Sequence, residues 1–282
     1  MAVEKLIVLT GASGFVGRQV LRELTRRGRR VTVIARNRGQ LDLGSASNLV
    51  KVEESKDLFD ESPDRLVTIL ENVDTLIHAA WYAEPGVYQS SPRNLNCLVG
   101  TLRLAQAFAA IKGNRFIGLG TCAEYDFSKN LLTIESSLKP HTLYAACKVS
   151  AFQVLNEFFS NGKIGFAWCR LFYLYGEGED ERRLVAYIRK QLSAGKPARL
   201  GTGTPILDFI DVRRAAELIV DVALGNVQGP VNISTGESVS VRQLAEQIAD
   251  EYGRRDLLHF SALPTNRVDQ SCIVGVPGPF NA

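Results

Sequence analysis

Tyr144 and Lys148 stand four residues apart in "YAACK". On a helix that spacing puts both side chains on one face. A free phenol titrates near ~10, so at neutral pH it is largely idle. An ammonium close by favours the phenolate. Bringing the phenol to about 7 takes ~4 kcal/mol of differential stabilisation, which one lysine and a second positive charge in a dry cleft could supply. A tyrosine so tuned can exchange a proton with a substrate oxygen. The lysine keeps N–H donors to spare for a neighbouring ribose. Since YxxxK arises often by chance, the elements around it have to decide its meaning.

Three glycines, Gly11, Gly14 and Gly17, stand in "TGASGFVG". They follow a short apolar run, "KLIVLT" at 5–10, and open a helical pattern over 14–27 that Gly28 closes. In a strand–turn–helix the first glycine permits the tight turn and the second admits a pyrophosphate. The third lets helix and strand pack closely. The pyrophosphate sits at the helix N-terminus, where free N–H groups and the dipole favour negative charge. Ser13, Phe15 and Val16 lie in the same turn and are read with it as cofactor contacts. An acidic residue about 20 positions on would hold a ribose 2′-hydroxyl. Here "VTVIARNR" puts Arg36 in that place, with Arg38 close by and no acidic residue before Asp42. Arginine suits a 2′-phosphate, so NADP(H) is favoured and NAD(H) is the alternative. "RRGRR" at 26–30 reads instead as cations at a helix C-terminus.

Apolar runs and helical patterns alternate through the first 173 residues. "VTVIA" at 31–35, "LVKVE" at 49–53, "DTLIHAA" from Asp74, "RFIGLGT" from Arg115 and "IGFAWCRLF" at 164–172 read as further strands. Helices are expected over 94–111 and 141–160. This is the pattern of an α/β fold, a Rossmann-type doubly wound parallel sheet. The small residues Ala79 and Ala80 end a strand and leave room for a cofactor, while His78 beside them reads as a packed core residue. After 173 the elements shorten, with helices at 181–194 and 212–224, a short strand in "GPVNIST" and an amphipathic helix in "SVRQLAEQIADEYG". Residues 174–282 are therefore expected to build a smaller α/β substrate lobe, interleaved with the 1–173 domain.

Together these motifs, with the GxxGxxG spacing, resemble the extended short-chain dehydrogenase/reductase family: nucleotide-sugar epimerases, dehydratases and ketoreductases. The resemblance covers most of the chain and implies further roles. Asp57 and Leu58 are similar to a pair that contacts adenine. Asn96, in "NLNCLVGT", is similar to the asparagine of an Asn-x-x-Gly-Thr helix pattern, with one extra residue before the glycine. In "GTCAEYDF", Tyr125 matches a family tyrosine, and counting back four gives Thr121 as the hydroxyl that meets the substrate oxygen. The family's 4,6-dehydratases carry Asp-Glu after that hydroxyl; this chain carries Cys122-Ala123. Elimination therefore lacks its acid and base, and Cys122 reads as a buried thiol. Trp81, Glu124 and Tyr173 are read as substrate contacts, Tyr173 replacing an asparagine in "RLFYLYG". "GTGTPILDFIDV" matches a family segment at Asp208 and Phe209, with Leu207 where arginine is usual. A substrate pyrophosphate needs cations, and Arg183 and Arg267 are the candidates. The segment after Arg267 is short, so the family's terminal helix is expected to be absent.

A formal charge of +3 is too mild to indicate a nucleic-acid or membrane surface. No apolar run reaches about 18 residues, the length a spanning helix needs. Five scattered cysteines without a CxxC pair favour reduced thiols and a cytoplasmic setting. The three histidines have no metal-ligand spacing, so no metal is expected. The expected partner is a nucleotide-diphosphate sugar, with a homodimer left open. The leading expectation is NAD(P)H-dependent reduction of a nucleotide-linked 4-keto sugar. A 4-epimerase that keeps NAD bound is the alternative. A non-catalytic nucleotide sensor has no need of the YxxxK pair.

Overall fold

The computed structural model describes residues 6–41, 43, 47–262 and 272–278. In chain order the first elements are β1 (Leu6–Thr10), α1 (Phe15–Arg26), β2 (Val31–Ala35), β3 (Val50–Glu54), α2 (Pro63–Ile69), β4 (Val73–His78) and α3 (Arg93–Ala110). They continue with β5 (Arg115–Thr121), β6 (Leu131–Leu132), α4 (Leu143–Ser160), β7 (Gly165–Leu171), β8 (Tyr173–Tyr175) and α5 (Leu184–Ser193). Then come β9 (Ala198–Arg199), β10 (Ile206–Leu207), β11 (Phe209–Asp211), α6 (Val212–Leu224) and β12 (Gly229–Ile233). The last are β13 (Val239–Ser240), α7 (Val241–Tyr252), β14 (Leu258–His259) and β15 (Cys272–Gly275).

Seven strands form one parallel sheet in the order β3-β2-β1-β4-β5-β7-β12. The strands read as continuous apolar runs because both faces are covered. Helices α1 and α6 pack on one face, burying Val20, Leu24, Ala215 and Ile219 with Leu9 and Val33. On the other face α2, α3 and α4 bury Leu66, Phe108, Leu155 and Phe159 against Val8, Phe116 and Phe166. The strand order reverses between β1 and β4, so the crevice for a ligand opens at their C-terminal ends.

The region after 173 differs from the expected lobe in one respect. "GPVNIST" forms β12, which joins the edge of the main sheet beside β7, and α6 covers that sheet. The chain thus returns to the first domain before leaving it again. The small lobe proper is α5 and α7 around Ile188, Leu192, Ala245 and Ile248. A separate four-stranded sheet has the order β13-β10-β15-β6. Among the described residues no helix is long and apolar enough to cross a membrane.

Candidate active site

The glycine turn is shaped by what surrounds it. Gly11 has φ +74°, and a Cβ there would lie 2.6 Å from the Ala80 nitrogen and 2.8 Å from the Ala79 carbonyl oxygen. A Cβ at Gly17 would collide with the Gly11 carbonyl. The ends of β1 and β4 therefore meet at the switch point with only small residues between them. Helix α1 begins at Phe15 with Gly14 as its N-cap and no side-chain capping bond, which leaves the first-turn N–H groups of Phe15, Val16 and Gly17 for a ligand. These features fit a dinucleotide pyrophosphate. Asp57 and Leu58 follow β3, where Asp57 caps a short turn by accepting from the Phe59 amide at 3.0 Å. Arg36 is exposed just past β2 and bonds no other described residue. Glu54, at the end of β3, accepts from the Arg38 amide at 3.2 Å.

His78 lies in the core at 3% exposure. The Thr101 hydroxyl donates to the Cys97 carbonyl at 2.7 Å, so toward His78 it can only accept. This assigns the ring proton to Nε2, 2.9 Å from Thr101, and makes Nδ1 the acceptor of the Thr10 hydroxyl at 2.8 Å. Thr10 in turn accepts from the Ala80 amide at 3.2 Å. His78 thus ties β1, β4 and α3 together beneath the crevice, and burial drops its pKa to about 3.

Helix α4, capped by Thr142, brings Tyr144 and Lys148 to the same cleft. The phenol ring stands edge-on to Tyr88 at 4.9 Å and to Trp81 at 6.4 Å. The Thr121 hydroxyl lies close enough to the phenol to favour its ionised form, against the larger effect of burial. Thr121 Oγ1 also accepts from the Ala123 amide at 3.2 Å, so its own hydrogen is left to donate. Lys148 donates to the Leu119 carbonyl at 2.6 Å and is buried. The trio expected from the sequence is assembled, but its electrostatics differ from expectation. Burial pushes the Tyr144 phenol well above the usual range, and no lowering by Lys148 opposes it. Burial brings Lys148 itself down to about 7. Desolvation is the largest influence on both groups.

Two residues read as site contacts are placed elsewhere. Asn96 is exposed on α3, while Asn94 and Cys97 turn inward. Counting three back from Gly100-Thr101 reaches Cys97, so the extra residue noted in the sequence moved Asn96 off the buried face. Glu124 is fully buried and paired with Arg170 at 2.7 Å, leaving no surface for a substrate. The segment Cys122–Glu124 is a 3₁₀ turn rather than a strand, which swings the carboxylate inward. Cys122 is buried as expected, its thiol pushed up to about 12.

Trp81 lies against Tyr144 and Lys148, with Nε1 donating to Asn94 Oδ1 at 2.9 Å. Tyr173, on β8, packs against Phe209, and burial raises its phenol. Arg183 is the N-cap residue just before α5, where its charge acts on half-buried Glu179. Arg267 lies outside the described residues. Asn94 and Tyr88 were not anticipated; "YQSSPRN" carries no motif that would have marked them.

The family model described as NAD dependent epimerase/dehydratase matches residues 7–234, from the first strand through β12. This chain belongs to that family. It is 24% identical, over 95% of its length and 98% of the relative's, to the dTDP-6-deoxy-L-talose 4-dehydrogenase (NAD(+)) of Aggregatibacter actinomycetemcomitans. Among solved structures it is similar to MoeE5 in complex with UDP-glucose and NAD, with 25% identity, a TM-score of 0.78 and coverage of 93% and 86% of the two chains. A UDP-N-acetylglucosamine 4-epimerase from Methanobrevibacter ruminantium M1 superposes with a TM-score of 0.83 at 23% identity, covering 98% of this chain and 90% of that one. At that identity the likeness speaks for the family's fold.

Proposed function

We propose that this family member reduces a nucleotide-linked 4-keto-6-deoxy sugar to the 6-deoxyhexose with NAD(P)H. The observation that carries this reading is the meeting of Tyr144, Lys148 and Thr121 at the crevice, with the phenol enclosed by Trp81 and Tyr88. Reduction of a ketone leaves an alkoxide that needs a proton, and a protonated phenol is the form that gives one. The relative from Aggregatibacter is named for dehydrogenation at position 4 of a dTDP-6-deoxy sugar; ketone reduction there is the reverse reaction. Cys122 and Ala123 supply neither the acid nor the base that elimination needs, since a thiol near 12 stays neutral.

When bound, the nicotinamide supplies the hydride. Thr121 and Tyr144 donate to the ketone oxygen, where negative charge develops, and Tyr144 delivers the proton. Lys148 gives one N–H to Leu119 and keeps two for the nicotinamide ribose. Gly11, Ser13, Gly14, Phe15, Val16 and Gly17 cradle the pyrophosphate, Ala79 and Ala80 leave space, and Asp57 with Leu58 borders the adenine. Arg36 favours NADP(H), although the neighbouring Glu54 and the NAD in the relatives' names keep NAD(H) as the alternative. Tyr173 and Arg183, from the small lobe's side, are assigned to the nucleotide half of the substrate.

Tyr144→Phe tests the reading. It should leave dinucleotide affinity nearly intact and lower turnover at least about a hundredfold, the scale of a lost general acid. Near-normal turnover in Tyr144→Phe would remove the mechanism.

A further inference from the structure

The carboxylate excluded from the substrate has another task. Glu124 Oε1 accepts from the Thr121 amide at 2.9 Å and from Trp168 Nε1 at 3.0 Å. Its Oε2 accepts from Arg170 Nε at 2.7 Å. The Arg170 guanidinium lies between the Tyr125 and Phe152 rings, 4.7 Å from each centroid. Its Nη1 donates to the Tyr125 hydroxyl at 3.0 Å, and Tyr125 donates to Asn232 Oδ1 at 2.6 Å. Asn232 Nδ2 reaches the Leu132 carbonyl at 3.0 Å and the Val276 carbonyl at 3.1 Å. A continuous set of hydrogen bonds therefore runs from Thr121 to the β6–β15 sheet. Gly120 makes room for it, because a Cβ there would collide with Trp168 Nε1 and Glu124 Oε1.

Stability alone does not account for this pair. Taking two charges out of water offsets much of their attraction, and apolar residues of equal volume often do as well. Arg170 Nη2, moreover, has no hydrogen-bond partner among the described residues. The location is what distinguishes the pair: the carboxylate grips the backbone of Thr121 and completes a capping box in which Thr121 Oγ1 accepts from Ala123. We infer that Glu124 is a positioning residue whose carboxylate, clamped by Trp168 and Arg170, fixes the Thr121 turn and keeps that hydroxyl aimed at Tyr144 and the substrate ketone. This rests on the catalytic roles proposed for Thr121 and Tyr144. Glu124 is also the largest contributor favouring the Lys148 ammonium against its burial.

Two measurements on the full chain test the inference. The first needs no substrate. Amide hydrogen exchange at Thr121, followed by NMR, should speed up by about tenfold or more in Glu124→Ala, with smaller changes at Phe116 and Ile117 in the same strand. Glu124→Gln keeps an acceptor without the charge and serves if the alanine variant does not fold; it should show a smaller rise. An unchanged Thr121 amide overturns the inference. The second is a double-mutant cycle on turnover with Thr121→Ala. Glu124→Ala should lower kcat by about tenfold to a hundredfold, the scale of a misplaced group, with dinucleotide affinity nearly kept. In the Thr121→Ala background the same change should cost little. An equal loss in both backgrounds would mean a general structural role and would also overturn the inference. If Tyr144→Phe stays active while the Thr121 amide responds, the proposed reaction fails and the hold of Glu124 on Thr121 stands.

Discussion

The Lys148 ammonium lies 3.7 Å from the centre of the Trp81 ring. The indole is pinned by its bond to Asn94, which itself donates to the Tyr88 carbonyl at 2.6 Å and the Ser91 carbonyl at 2.9 Å. The first turn of α3 thereby sets the ring that faces the charge. A desolvated cation over an indole gains about 2 kcal/mol, which resists the burial that brings Lys148 to about 7. The lysine is charged below its pKa, so kcat/KM for the dinucleotide should fall as pH rises through about 7. Trp81→Leu should move that fall to lower pH by about one and a half pH units. An alkaline limb that does not move in Trp81→Leu would contradict the ring's role.

Arg36 tests cofactor choice. A charge-assisted contact to a 2′-phosphate is worth about 1.5–3 kcal/mol, so Arg36→Asp should cost roughly tenfold or more in NADPH affinity. NADH affinity should hold or improve. Dissociation constants for both dinucleotides, in wild type and variant, check this. Tighter NADH binding in wild type, unchanged in the variant, would assign the site to NAD(H) and leave Arg36 a solvated residue.

His78 should make the fold acid-sensitive. Its pKa is about 3 in the folded chain against an ordinary 6.5. Between those values the unfolded chain binds the proton and the folded one does not. The stabilisation is full above pH 6.5 and is lost as pH falls toward 3, on the order of 5 kcal/mol over the whole window. Urea midpoints at pH 7 and pH 4.5 should differ more in wild type than in His78→Gln, even if that variant is weaker at pH 7. Equal pH dependence in the two proteins would contradict the assignment.

What could be read from the sequence was what local backbone geometry forces. The strand–glycine–helix turn was legible because Gly11 and Gly17 face backbone that tolerates no Cβ. Tyr144 and Lys148 were legible because one helix carries both. Thr121 was reached through resemblance and lands beside Tyr144. Non-local facts were hidden. "GPVNIST" reads as a lobe strand until β7, some sixty residues earlier, supplies its edge. Asn96 misses the buried face of α3 by one position, which only the helix's packing reveals. Glu124 depends on whether the backbone stays extended or tightens into a turn. The raised Tyr144 phenol follows from burial against Trp81 and Tyr88, the latter contributed by a loop with no motif.

Net reduction at a sugar ketone separates this reading from epimerisation. It is tested most directly by giving the wild-type protein a nucleotide-linked 4-keto-6-deoxyhexose with NADPH, and separately with NADH. Absorbance of the reduced dinucleotide is followed and the sugar is analysed. One reduced dinucleotide should be consumed for each 6-deoxyhexose formed. Interconversion of two nucleotide sugars with no net consumption would contradict it and assign the same trio to a 4-epimerase.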